Sequence, residues 1–284
     1  DALADLQIGT LEVTGAAAID GATTFSSTVT VGVDDTGYDV KFFGATSGKY
    51  ALWDEDANSW IISGTQSTVT AGTSNYIAGV NAGNSIAAGG NYNVAIGDEA
   101  GTALTTADGN VIIGYTAGDA LTTSPSNVLI GTGAGGSITT GNGENVCIGN
   151  NAGTTMTTGQ QNIIIGDNAA AGADLTGAGN TIIGDNAGYA MTSGAENVAI
   201  GATALNAITT GYGNVAIGHS ALALNTEGYR SIAVGENALD ANTTGDNHVA
   251  IGYDALGSNT TASDNVAVGY QALAVNSTGS NLVA

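Results

Sequence analysis

"NVAIGATALNAITTGYGNVAIGHSAL", residues 197–222, states one phrase twice: Asn197 to Gly201 returns as Asn214 to Gly218. In both directions the glycine that closes the phrase recurs, at Gly97, Gly114, Gly131, Gly149, Gly166, Gly184, Gly201, Gly218, Gly235, Gly252 and Gly269. Each step is a repeat of seventeen, lengthened twice to eighteen. A fainter copy, "NYIAG" at 75–79, precedes them, and "NLVA" at 281–284 begins another. A period held over about 200 residues is the mark of a solenoid, in which each unit buries its apolar face only against its neighbours.

Within the unit, alternation such as Val94 and Ile96, or Val215 and Ile217, is the period-two pattern of a short strand. The middle slot takes Ala95, Ile112, Leu129, Cys147, Ile164, Ile182 and Ala199, so both faces of that strand are apolar. A strand apolar on both sides needs a second partner besides its own coil. The closing glycine, and the glycine of "TTG" at 139–141 and 209–211, are read as turn residues that accept positive φ. A seventeen-residue coil leaves room for two or three short strands.

Two slots vary together. Four residues after the closing glycine, early units carry Gly101, Gly118, Gly135, Gly153, Ala170 and Gly188, and later ones Leu205, Leu222, Leu239, Leu256 and Leu273. Seven residues after it, Leu104, Leu121, Ile138, Met156 and Met191 give way to Asn225, Asn242, Asn259 and Asn276. Residues 201–208 hold both Leu205 and Ile208, at the handover. The exchange reads as one core volume filled from two directions, as close packing demands.

A recurring asparagine (Asn93, Asn110, Asn127, Asn145, Asn162, Asn180, Asn197, Asn214, Asn265) is the strongest polar signal. Stacked at the strand spacing of about 4.8 Å, these side chains would form a structural ladder whose amides bond from coil to coil.

The balance of charge narrows the partners. Twenty-five acids stand against Lys41, Lys49 and Arg230, a formal net of −22. Without a basic patch, nucleic-acid binding by counterion release is not expected. No stretch of eighteen apolar residues occurs and no basic segment leads into an apolar one, so membrane insertion and a signal peptide are not expected. The single cysteine, Cys147, rules out an internal disulfide and sits in a slot that takes Ala, Ile or Leu elsewhere, where a thiol packs as a small hydrophobe.

Catalytic constellations are missing from the pattern. His219, directly after a closing glycine, and His248, in the slot of the recurring asparagine, are read as exposed repeat variants. Asp34-Asp35 and Asp54-Glu55-Asp56 lack a calcium-loop spacing and read as solvated turns. The expectation is therefore a protein that is not an enzyme and needs no metal or cofactor. Tyr115, Tyr189, Tyr212, Tyr253 and Tyr270 are candidate exposed contacts.

Four zones follow. Residues 1–33 read as an N-terminal β-stem, and residues 34–64, which hold both Trp and two of the three Phe, as a small aromatic-containing β module. Residues 65–90 are a Gly/Ala/Asn-rich lead-in with the first degenerate repeat, and residues 91–284 are the regular array. The chain starts without Met and stops inside a repeat, so a piece of a longer polypeptide is expected.

The "N-x-V-A-I-G-x-x-A" core resembles the head repeat of YadA-like trimeric autotransporter adhesins, where it forms a left-handed parallel β-roll in a homotrimer. The longer form, as in residues 251–273, is similar to arrays in phage tail fibres and tail spikes, and so is "DVKFFGATSGKYALWDE" at 39–55. The unit of the adhesin heads is usually shorter than the unit of this chain. The resemblance implies an all-β, left-handed β-roll solenoid in an intertwined homotrimer. It implies the shaft of a phage tail fibre, a virion component that joins other fibre proteins and projects or aids binding to a host surface glycan or protein. A bacterial surface adhesin head is the main alternative. A monomeric ice-binding solenoid, presenting its Thr-Thr pairs, is another.

Overall fold

The computed structural model describes the strands at 40–43, 50–54 and 59–63, and residues 70–284 continuously. The chain divides into two compact units, residues 1–65 and 66–284. In the first, β1 (Val40–Phe43), β2 (Tyr50–Asp54) and β3 (Ser59–Ser63) form an antiparallel meander in the order β1-β2-β3, with Val40 paired to Trp53 and Trp53 to Trp60. The stem expected at 1–33 and the acidic residues Asp34, Asp35, Glu55 and Asp56 lie outside the described residues.

The second unit is a parallel β-solenoid. Twelve three-residue strands stack in strict chain order: β4 (Tyr76–Ala78), β5 (Val94–Ile96), β6 (Val111–Ile113), β7 (Val128–Ile130), β8 (Val146–Ile148), β9 (Ile163–Ile165), β10 (Thr181–Ile183), β11 (Val198–Ile200), β12 (Val215–Ile217), β13 (Ile232–Val234), β14 (Val249–Ile251) and β15 (Val266–Val268). Register follows the repeat: Val198 pairs with Val215 and Ile200 with Ile217, one coil along. Eleven steps of about 4.8 Å make a stack on the order of 50 Å long.

Each coil carries one strand, where two or three were expected. The rest of the coil still bonds to its neighbours: Leu205 N donates to Ala221 O, Ala207 N to Ala223 O and Thr209 N to Thr226 O. Left-handed residues break these rows before they become strands. They recur two, four and twelve residues after the closing glycine, as at Thr203 (φ 56°), Leu205 (φ 50°) and Gly213 (φ 66°). Corners of this kind let each repeat close a narrow ring whose backbone groups are spent between coils.

The closing glycines have two independent reasons to be glycine. Their φ lies between 125° and 141°, a region L side chains rarely enter. At each one from Gly97 to Gly252, a Cβ would also fall within 3.0 Å of the carbonyl oxygen of the next closing glycine. Of the TTG glycines, Gly141 has the positive φ read for it above (113°) and Gly211 does not. A Cβ on Gly211 would strike Gly228 O of the next coil, so close approach selects it. The same position accommodates buried alanine at Ala107 and Ala262.

The core is a thread of small volumes. Ala204, Ala221 and Ala238 line one side in every coil, and all are fully buried. Early coils place Ile112, Leu129 or Ile182 at the middle of the strand, and then nothing larger than the methyl of Ala170 stands four residues past the glycine: a Cβ on Gly188 would sit 3.1 Å from Ile182 Cδ1. Later coils have Ala199, Ala216, Ala233 and Ala250 there, and Leu205, Leu222, Leu239 and Leu256 fill the space, fully buried. These leucines accept φ of 50–55°, a conformation costing about 1–2 kcal/mol. Burial of a leucine side chain, about 1.5–3 kcal/mol, offsets that strain.

Candidate functional surface on the outer strand face

The middle residue of each strand points into the coil and its two neighbours point out. Ala95, Ile112, Leu129, Cys147, Ile164 and Ile182 are fully buried, whereas Val94, Ile96, Val111 and Ile113 are half-buried. The outward columns are β-branched on all eleven strands from β5 to β15, with Thr181 the sole polar member. Exposure reaches 40 % at Ile163 and Ile251 and 57 % at Val268. Two such side chains per strand over eleven strands make one continuous apolar strip, where a typical monomer surface carries its large apolar residues singly.

Aromatic and charged residues flank this face. Tyr212 and Tyr229 stack with centroids 5.1 Å apart, and the Arg230 guanidinium lies 5.5 and 5.6 Å from the two rings. The Asp246 carboxylate beside Tyr229 raises its phenol above the ordinary value. Tyr253 and Tyr270 make a second stack at 5.4 Å. These are one-coil neighbours, so a Tyr repeated at the period of the coil becomes an aromatic step on the surface. Tyr115 and Tyr189 are also exposed.

Behind the face runs the asparagine ladder. Asn110 N and Nδ2 both donate to Asn93 Oδ1, at 2.9 and 3.0 Å, and Asn197 repeats this on Asn180 at 3.0 and 3.2 Å. The second Nδ2 hydrogen goes to the carbonyl of the following coil, as from Asn197 to Gly211 O at 2.9 Å. Asn93, Asn110, Asn127, Asn145, Asn162, Asn197, Asn214 and Asn265 are fully buried and Asn180 nearly so. Asn75 supplies an earlier rung, accepting from Asn93 N. It precedes the degenerate strand of "NYIAG" as the other rungs precede theirs, which is the signal that would have found it.

Two further rungs are not asparagine. Ser231 N donates to Asn214 Oδ1, and His248 N donates to Ser231 Oγ at 3.2 Å. His248 is fully buried, so the expectation of an exposed variant fails for it; His219 is exposed. A second ladder, unforeseen as such, runs through Asn225, Asn242 and Asn259: Asn242 Nδ2 donates to Asn225 Oδ1 and Asn259 Nδ2 to Asn242 Oδ1. Both ladders meet on one carbonyl, since Asn214 and Asn225 each donate to Gly228 O.

The remaining candidates are structural in their geometry. Burial pushes the Cys147 thiol up to about 12. Thr122, Thr192, Thr209, Thr226 and Thr243 turn their hydroxyls onto the carbonyl of the equivalent residue in the next coil. Among the described residues no group of three His, Cys, Asp or Glu could hold a metal ion, and no helix is long and apolar enough to cross a membrane.

Fold and surface together define the class as an all-β protein with a parallel β-solenoid built on a seventeen-residue turn. No protein-family model, curated protein or solved structure matches the chain.

Proposed function

We propose that the chain is a structural fibre segment: a homotrimeric β-solenoid shaft of a phage tail fibre, on the virion, that holds a receptor-binding region away from the particle. The observation that carries this reading is the outward face of the strands. An apolar strip running the length of the stack fits a seam between copies of the same chain, since identical coils meet at identical heights. A left-handed roll and an intertwined trimer follow from the resemblance of the repeat. A seam of this kind stiffens a shaft, and three parallel chains present any receptor contact three times. In this reading the chemistry is adhesive and mechanical, with no catalytic step and no cofactor. The ice-binding alternative draws little support, because much of its threonine array is already committed to carbonyls of the next coil.

Light scattering on the full chain tests the reading. A mass three times 27.6 kDa is expected. Charging the strip with Ile200→Glu and Ile217→Glu should break that species. A folded wild-type monomer of 27.6 kDa would overturn the proposal.

A further inference from the structure

His248 is the one titratable side chain in the buried ladder, and its Nδ1 takes the place of an asparagine Oδ1. Nδ1 accepts the backbone N–H of Asn265 at 3.3 Å, the bond that Oδ1 accepts at the asparagine rungs. A backbone amide can only donate, so Nδ1 carries the lone pair and the neutral ring holds its proton on Nε2. The ring also faces the Ala262 carbonyl, which stands fourteen residues on, where Asn214 reaches Gly228 O and Asn265 reaches Gly279 O. The Asn265 N–H requires a lone pair on Nδ1, which the neutral, Nε2-protonated ring supplies and the imidazolium does not.

We propose that this rung is an acid-sensitive joint in the solenoid: protonation of His248 breaks the Asn265–His248 bond and loosens the coils that follow it. The imidazolium carries a second N–H on Nδ1, aimed at the N–H of Asn265, so donor meets donor in a closed interior. The joint is already thin. Asn110, Asn127, Asn145, Asn180, Asn197 and Asn214 each tie Nδ2 to the Oδ1 of the rung before. Ser231, His248 and Asn265 make no such bond, so three successive steps lack it. Next to the ring, Asn259 Nδ2 approaches Nε2 at 3.2 Å, and Asn259 Oδ1 is a buried atom without a partner.

The charged groups facing the ring are Asp246 of its own coil and Asp264 of the following one; the preceding coil meets it with Ser231, which does not titrate. The carboxylates favour the charged ring, but burial outweighs them and the histidine lies below its ordinary value of 6.5. A folded value below the unfolded one means that the unfolded chain binds the extra proton first. Stability is therefore full above about pH 6.5 and falls as pH drops from there toward the folded value, by at most about tenfold in the folding equilibrium per pH unit.

The test uses the full chain as wild type, His248→Asn and His219→Asn, followed by amide-exchange protection at Asn265 and by NMR titration of the two imidazoles. Protection at Asn265 should fall up to tenfold per pH unit below pH 6.5 in the wild type and in His219→Asn, and stay level in His248→Asn, which restores the common rung. The wild-type His248 ring should titrate below the ordinary histidine value of 6.5 and show the Nε2-protonated tautomer at pH 7.5. Equal pH dependence in wild type and His248→Asn, or a His248 that titrates at or above 6.5, would overturn the joint. The titration decides the matter alone if His248→Asn does not fold. None of these readings depends on whether the chain is a trimer.

Discussion

Serine in place of Asn197 should cost far more than serine in place of Asn214, although the two sit one coil apart in the same ladder. Each amide donates to the carbonyl fourteen residues further along the chain, Gly211 O at 2.9 Å and Gly228 O at 2.8 Å. Serine keeps the acceptor role, as Ser231 does for His248 N, and loses both Nδ2 donors. At position 214 nothing buried is stranded, because Asn225 Nδ2 also donates to Gly228 O at 3.0 Å and Asn197 Oδ1 keeps the position-214 N–H. At position 197 the neighbour across the core is Ile208, which has no donor, so Gly211 O is left bare. One hydrogen of Asn214 Nδ2 loses its acceptor as well, since the shorter serine does not extend to it. Two stranded buried groups at about 1–3 kcal/mol each give about 2–6 kcal/mol for Asn197→Ser, against about 1 kcal/mol or less for Asn214→Ser. Repeat arrays unfold locally, so the assay is native-state hydrogen exchange at residues 198–200 and 215–217 rather than one melting point. Equal losses in the two variants, or a larger loss at 214, would refute the shared-carbonyl account.

Gly201→Ala should prevent coil stacking, because φ is 135° and a Cβ would meet Gly218 O, while Gly109→Ala, at φ 69° with only an ordinary 3.9 Å contact to Ser126 Oγ, should cost about 1–2 kcal/mol; circular dichroism and denaturant midpoints separate them. Ile182→Ala should cost about 2–5 kcal/mol as a cavity, and Gly188→Leu should be destabilising against an intact Ile182. Their combination copies the Ala199–Leu205 pairing and should cost less than the sum of the two by at least about 1 kcal/mol; strict additivity would remove the argument for a shared core volume. Cys147 should resist a maleimide reagent at pH 8 in the folded chain and react in denaturant, since the thiolate forms only near 12; fast labelling of the folded chain would contradict its burial.

Strand position and ladder stacking were legible because each depends on one period: V-x-I before a glycine places a three-residue strand, and an asparagine at a fixed offset must lie over the next. The trade between Ile182 with Gly188 and Ala199 with Leu205 was half legible, through the leucines and asparagines that alternate along the chain. What alternates at the middle of the strand became meaningful only when that residue proved to face inward. His248 was misread because a titratable residue among turns suggests solvent, and composition does not reveal that an imidazole can stand in for an amide. The left-handed leucines were hidden for a similar reason. Local propensity opposes leucine at φ near 50°, and only the volume vacated by Ala199, Ala216, Ala233 and Ala250 overrides it.

What stays constant along the array bears on what the array is for. Inside the coils the residues change in relation to one another: the middle of the strand passes from Ile182 to Ala199 and the left-handed corner from Gly188 to Leu205 in one step, and the opposite slot passes from Ile208 to Asn225 one coil later. Those positions answer only to one another, so any combination that fills the ring is acceptable. The two outward strand positions have no such internal partner, yet they remain Val or Ile on every strand from β5 to β15 except at Thr181. Strand pairing alone would accept threonine at each of them, and solvent would favour it. A column that keeps its apolar character where the coil does not require it is what the proposed shaft would use, with a second copy carrying the same column at the same height against it.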